Sequence, residues 1–142
     1  MAEQPASFKE IEHTADLGVE ITAPTLPALF AVAGEALFAL MVDPQSIQQR
    51  DEIVVSASGE EPEELLHAWL CELLAQFNIA GFIARSCTVD RLSGDRVEGR
   101  ILGEKLDLGR HGYRTEIKGV TYHDFKLWQE DGTWRARVIF DV

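Results

Sequence analysis

The chain has 142 residues, of which 46% are hydrophobic and 26% charged, as in an ordinary globular protein with one core. Its formal net charge of -11 disfavours tight binding of RNA or DNA, because phosphates are held by clustered Lys and Arg; cations and basic proteins remain plausible partners. The sequence has no apolar run long enough to span a bilayer and no signal-peptide pattern, so we expect a soluble, cytoplasmic protein with no membrane partner.

The first half of the chain alternates predicted strands and helices. Residues 17–23 alternate apolar and polar side chains, which indicates a strand buried on one face. A helix is predicted from a cap at Thr25 to Val42, where an Asp-Pro pair stops it. Residues 53–57 resemble a second strand, and 60–78 a second helix with acidic residues in its first turn. Both helices are broadly apolar, so we expect them to form the core.

The second half is rich in strand patterns. Asp131-Gly132 favours a tight two-residue hairpin turn, and Ser93-Gly94-Asp95 favours another turn. The predicted strands cover 82–92, 96–103, 115–122, 124–129 and 134–140.

This order of elements predicts an α+β fold rather than a doubly wound one. We expect one compact domain over residues 1–142, with 1–7 flexible. Two apolar helices should pack with mixed or antiparallel β-sheets, and the C-terminal half should be rich in β-hairpins. Cys71 and Cys87 lack the spacing of a zinc site or a disulfide framework, so we expect both to fill the core.

No standard catalytic or nucleotide-binding motif is present, but the two ends of the chain carry carboxylates. Asp141 is followed by the terminal carboxylate of Val142, and two ionised groups so close repel each other unless a cation lies between them. Asp16 could add a third carboxylate if the first and last strands lie side by side. Such hard oxygen ligands suit Ca²⁺, Mg²⁺ or Mn²⁺.

Each of these residues also has a plain structural interpretation. A terminal Asp is commonly a solvated end, His13 a strand-end residue bonded to backbone, and Lys105 a surface charge. His123 and Asp124 could be a base and its orienting carboxylate, but they do not meet simply because they are neighbours, since adjacent strand residues point to opposite faces. Two other functions stay open: a metal-dependent phosphohydrolase, and a chaperone-like binding module for nucleic-acid enzymes.

Four motifs considered together resemble the archease family. They are EHTADLGVEI at 12–21, GEKLDL at 103–108, KGVTYHDFKL at 118–127 and the final W-x-A-x-V-x-F-D-V, in the family's order and over nearly the whole chain. Archeases usually carry Lys-Ala where this chain has Lys118-Gly119.

The resemblance implies a protein activator and not an enzyme. Archeases activate the GTP-dependent RNA ligase that joins 2′,3′-cyclic-phosphate or 3′-phosphate ends to 5′-hydroxyl ends in tRNA splicing and RNA repair. They promote guanylylation of the ligase histidine, support multiple turnover and broaden nucleotide use. The partner expected here is therefore that ligase, with no tight direct contact to nucleic acid.

The resemblance also implies a metal site, with calcium as the expected ion and Mg²⁺ or Mn²⁺ as alternatives. The family's ligands fall on Asp16, Asp141 and Val142. The expected supporting or partner-contacting residues are His13, Lys105, Lys118 and His123.

Overall fold

The computed structural model describes residues 5–11 and 16–142. In this part of the chain there are two α-helices, α1 (Leu26–Met41) and α2 (Pro62–Ala80), and a short 3-10 helix at Pro44–Ser46. The strands in chain order are β1 (Ser7–Ile11), β2 (Leu17–Ala23), β3 (Asp51–Ser58), β4 (Phe82–Leu92), β5 (Arg96–Lys105), β6 (Gly119–Val120), β7 (Lys126–Glu130) and β8 (Thr133–Asp141).

The strands form two antiparallel sheets. One has the order β1-β2-β8-β6, with β7 also paired to β8, and the other has the order β3-β5-β4. The predicted α+β fold is confirmed, and the open choice between mixed and antiparallel sheets is decided for antiparallel. The expectation that 1–7 is flexible stays a prediction.

Local signals start and stop the elements, in α1 and the last hairpin at the predicted residues and in α2 two residues later than predicted at each end. Thr25 caps α1 by accepting a hydrogen bond from the backbone N–H of Ala28 at 3.3 Å. α2 ends at Gly81, whose φ of 68° is the left-handed conformation that glycine adopts at little cost. Asp131 and Gly132 have φ values of 53° and 74°, as a type I′ hairpin turn requires.

The core lies between the two sheets, because each helix contacts strands of both. Trp69 of α2 is fully buried and donates its indole N–H to the carbonyl oxygen of Phe30 in α1 at 3.0 Å. This bond satisfies the one polar group that the tryptophan brings into the core. The five-stranded sheet contributes to the same core through Val19, Ile21, Ala136, Val138 and Phe140. None of the helices in the described residues is both long and apolar enough to cross a bilayer.

Two strand predictions differ from the structure. Only Gly119–Val120 of the predicted strand 115–122 pairs in a sheet. The preceding segment instead closes against the end of α1: Val42 bridges Tyr113, and the N–H of Arg114 donates to the carbonyl oxygen of Met41 at 2.7 Å. β1 is a strand that the periodicity does not reveal, because it is mostly exposed on both faces and shows no buried alternation.

Candidate functional site

The two predicted carboxylates lie just beyond the last residue pair at one end of the β2–β8 ladder. The antiparallel register runs from Ala23 opposite Trp134 to Leu17 opposite Phe140. The next positions are Asp16, in a bend just before β2, and Asp141, the last residue of β8. Residues opposite each other in an antiparallel pair share a face, with Cβ atoms about 5 Å apart. The condition set by the sequence, that the predicted strand at 17–23 lies beside the last strand, is therefore met by β2 and β8.

β6 brings a cation to the same end of the sheet. Gly119 pairs with Asp141, and the backbone N–H of Lys118 donates to the carbonyl oxygen of Asp141 at 2.7 Å. Lys118 is exposed and lies at the ladder position facing Val142. Asp16, Asp141, Val142 and Lys118 thus lie at or next to the ends of three neighbouring strands, and we call this group the carboxylate end.

The donors at the carboxylate end fit a hard divalent cation. Asp16 is half-buried and Asp141 exposed, so a bound ion there would stay open to a partner molecule. The described residues contain no group of three or more His, Cys, Asp or Glu side chains that could hold a metal ion. A site at this end therefore needs backbone oxygens as well as its two carboxylates, and Val142 is placed to supply them.

The other sequence-predicted residues lie elsewhere. His13 lies outside the described residues. Lys105 is the exposed last residue of β5, so it belongs to the three-stranded sheet and not to the sheet of the carboxylate end.

His123 is exposed in the turn between β6 and β7, where its N–H donates to Thr121 Oγ1 at 3.2 Å. Its Nε2 lies 3.6 Å from Asp124 Oδ2, so the two neighbours are close but beyond hydrogen-bond distance. The alternation rule does not apply here because the segment is a turn, in which Asp124 has a φ of 52°.

A buried polar network that the sequence analysis did not assemble lies beside Lys105. The side chains of Glu104 and His111 are buried, and His111 Nε2 lies 2.9 Å from Glu104 Oε2. The backbone N–H of Asp107 donates to His111 Nδ1 at 2.8 Å. Because Nδ1 accepts, the proton of the neutral ring is on Nε2, which donates to the carboxylate. The residue pattern of β5 does not predict that Glu104 is buried, because the residues that bury it come from separate loops.

Two arginines complete the network at the surface. Arg110 donates to Glu104 Oε1 at 2.6 Å, and Arg50 Nε lies 3.6 Å from the same oxygen. The backbone N–H of Gln48 donates to Glu104 Oε2 at 2.7 Å. These arginines and Lys105 line an open cavity of about 770 Å³. The hydrogen bond from Arg110, supported by those from Gln48 and His111, lowers the pKa of Glu104 to about 2 despite its burial.

We expect Glu104→Gln to destabilise the protein by about 2 kcal/mol. All described hydrogen-bond partners of the Glu104 carboxylate are donors. The amide NH₂ of the glutamine is also a donor, so it would face one of them without an acceptor. Chemical denaturation measures the change, with Glu98→Gln on the exposed face of β5 as the control.

The stability that the ionised Glu104 carboxylate contributes should depend on pH. The folded pKa of Glu104 is below its ordinary 4.5, so this contribution is present above pH 4.5 and is lost as pH falls towards 2. If Glu104→Gln and Glu98→Gln lost the same amount of stability between pH 4.5 and pH 2, this pH dependence could not be assigned to Glu104.

A small aromatic cluster joins α2 to the segment after β6. The ring of Tyr122 stacks on His67 with centroids 3.7 Å apart, and His67 Nε2 lies 2.7 Å from the carbonyl oxygen of Val120. Cys71 Sγ lies 3.6 Å from His67 Nδ1.

The two cysteines differ in their burial. Cys87 is buried as expected, but Cys71 is exposed, so the prediction that Cys71 fills the core is wrong. Partial burial and Glu72 raise the pKa of the Cys71 thiol, which favours the thiol as donor to His67.

The chain is similar over nearly its whole length to proteins of a known family. The model of the Archease protein family matches residues 8–142. The chain belongs to the archease family. Its similarity to the Protein archease of Methanopyrus kandleri is 38% identity over 138 residues, which is 95% of this chain and 99% of the relative. The Protein archease of Pyrococcus furiosus is 34% identical over 139 residues, with 95% and 98% covered.

Solved structures share the fold of this archease. The solution structure of Methanobacterium thermoautotrophicum protein 1598 is 32% identical, with a TM-score of 0.79, and covers 95% of this chain and 98% of that one. The crystal structure of a Thermotoga maritima archease, described as a possible chaperone, has a TM-score of 0.65 and 24% identity over 94% of this chain and 96% of that one. At that identity the second likeness supports the fold alone.

Proposed function

We propose that this archease is an activator of a GTP-dependent RNA ligase that joins 2′,3′-cyclic-phosphate or 3′-phosphate ends to 5′-hydroxyl ends, in tRNA splicing and RNA repair. It acts by presenting a divalent cation, most simply Ca²⁺, at the carboxylate end. The observation that supports the proposal is the β2–β8 register, whose last pair, Leu17 and Phe140, is followed by Asp16 on one side and Asp141 on the other. Membership of the archease family supports it.

The location of the carboxylate end suits a role in docking. Asp141 and Val142 are exposed, and Lys118 is exposed beside them. A cation bound there would supply positive charge to phosphates held by a partner, which is what nucleotidyl transfer requires. The protein's own part is to hold the carboxylates on one face of a sheet. Lys118 adds a fixed charge for a phosphate or an acidic group of the partner.

The remaining candidate residues have secondary roles in this proposal. Lys105 stands at the rim of the separate cavity, where it can contact the ligase at a second place. His123 holds the turn after β6 through Thr121 and Asp124, and so supports the segment that carries Lys118. His13 completes the supporting set by its position in the HTAD motif.

The experiment mixes the cognate ligase, GTP and a divalent metal with or without the archease, and follows guanylylation of the ligase and the number of turnovers. We expect the archease to raise both, and to release no product from phosphate esters by itself. No change in ligase guanylylation would contradict the proposal. Hydrolysis of a phosphate ester by the archease alone would favour the phosphohydrolase, and capture of many unrelated nucleic-acid enzymes would favour the chaperone-like module.

A further inference from the structure

The face of the five-stranded sheet that points away from the core has an unusual charge. The register places Lys9, Glu20, Arg137 and Lys126 opposite one another in a row across four strands. In the next row, Arg135 lies between Thr22 and Trp128. We call the side chains Lys9, Glu20, Lys126, Trp128, Arg135 and Arg137 the outer face.

The outer face is basic on a chain whose net charge is -11. Its four cations are accompanied by Glu20 and, at the end of β7, by Glu130. Arg137 Nη2 donates to Glu20 Oε1 at 3.3 Å, whereas Arg135 Nε lies 3.6 Å from Glu130 Oε2, beyond hydrogen-bond distance. The four cations still outnumber the two acids. Positive charge therefore remains available there.

Both arginines expose part of their side chains to solvent. Their side chains are 40% and 41% exposed. The Nε–H of each is buried and has no hydrogen-bond acceptor in the described part of the chain. The buried Nε–H groups cannot reach an outside partner, but the exposed part of a guanidinium can, and its planar fork of donors matches the oxygens of a phosphate.

Trp128 distinguishes between the anionic partners that such a surface could bind. It is half-buried on the outer face, with Lys126 Nζ 4.9 Å from its ring centroid and its indole N–H donating to Glu130 at 3.3 Å. An aromatic ring among cations is the arrangement that binds single-stranded nucleic acid, because bases stack on the ring while phosphates meet the charges. An acidic peptide has no base that could stack on the ring, so it would gain only apolar contact from Trp128.

We propose that the outer face binds single-stranded RNA weakly and without sequence preference, through its phosphates and one stacked base. The acidity of the rest of the chain does not prevent this, since charges farther away than about 8 Å are largely screened at physiological salt. The proposal agrees with the expectation that no tight nucleic-acid complex forms. It holds whether or not the archease activates a ligase.

The three-stranded sheet offers a matched control. Its exposed face also carries three arginines, Arg91, Arg96 and Arg100, but Arg100 is held at 2.9 Å by both Asp90 and Glu52. Arg96 is paired with Glu98 at 3.0 Å. Replacing these three by Gln removes the same charge as Lys126→Gln, Arg135→Gln and Arg137→Gln together.

The test measures binding of a labelled short oligouridylate to the archease alone between about 50 and 200 mM salt. If about three phosphates are neutralised, the slope of log K against log salt should be about -2, and Arg135→Gln should reduce its size by about 0.7. The outer-face triple variant should lose nearly all of the slope, and the control variant none. Trp128→Ser should weaken binding about fivefold or more through loss of the stacked base.

Three results would overturn the proposal. The first is no binding at about 50 mM salt, and the second is an equal loss in the outer-face and control variants. The third is competition by poly-glutamate as effective as that by oligouridylate, with no change in binding on Trp128→Ser, which would identify an acidic polypeptide as the partner. Circular dichroism of each variant separates a loss of binding from a loss of fold. Ligase activation is not measured here, so this test fails or succeeds separately from the one above.

Discussion

Asp141→Asn should lower the affinity for Ca²⁺ by at least about tenfold and abolish most of the ligase activation. The exchange keeps the shape of the side chain but removes one of the two charges that the β2–β8 register brings together. A carboxamide oxygen is a weaker ligand for a hard cation than a carboxylate. Calorimetric titration with Ca²⁺ and the ligase guanylylation assay measure the two effects.

Asp131→Asn is the matched control, because it makes the same chemical change at the other end of β8. Asp131 is exposed in the hairpin turn with a φ of 53°, which asparagine also tolerates. We expect this variant to bind Ca²⁺ and to activate the ligase as the unchanged protein does. Equal behaviour of the two variants would exclude Asp141 as a ligand. Asp16→Asn should repeat the effect of Asp141→Asn, since the two carboxylates act on one ion.

Gly103→Ala should destabilise the protein by about 3 kcal/mol or more. A Cβ at this position of β5 would overlap the carbonyl oxygen of Ile83 and lie 2.7 Å from the Cα of Ala84. Both obstacles are backbone atoms of the neighbouring strand, so no side-chain rotation relieves them. The β4–β5 pairing itself would have to move, and Glu104 and its network come directly after this point. Thermal and chemical denaturation measure the loss.

Gly119→Ala provides the contrast and also restores the residue that archeases usually carry after this lysine. Among the described residues no atom lies within 4 Å of the added Cβ, and the φ of Gly119 is not positive. We expect it to be neutral or to stabilise by about 0.5 kcal/mol, because alanine restricts the unfolded chain more than glycine does. A loss as large as that of Gly103→Ala would show that strand glycines in this fold are needed for another reason than close approach.

The sequence predicted the elements whose signals are local. The cap at Thr25 and the Asp131-Gly132 turn depend on chemistry within a few residues, and both are present as predicted. The strand at 17–23 was found from its alternation alone, since one face is buried and the other is not. The predicted strand 115–122 is too long: only Gly119–Val120 forms a strand, paired with the end of β8, and the pattern of the segment does not reveal how short that pairing is.

The candidate residues were named by the sequence but assembled only by the fold. The family resemblance implies that Asp16 and Asp141 belong to one metal site, and the composition shows that the chain is acidic. That the two carboxylates face each other follows from a strand register between opposite ends of the chain.

The Glu104 network and the outer face likewise bring together residues from separate strands and loops. Neither group can be predicted from a local pattern. The pattern of a strand shows which of its side chains share a face, but it does not show which strand will pair with it. Pairing is decided by burial of the whole sheet against the helices, a contribution that no short window of sequence contains.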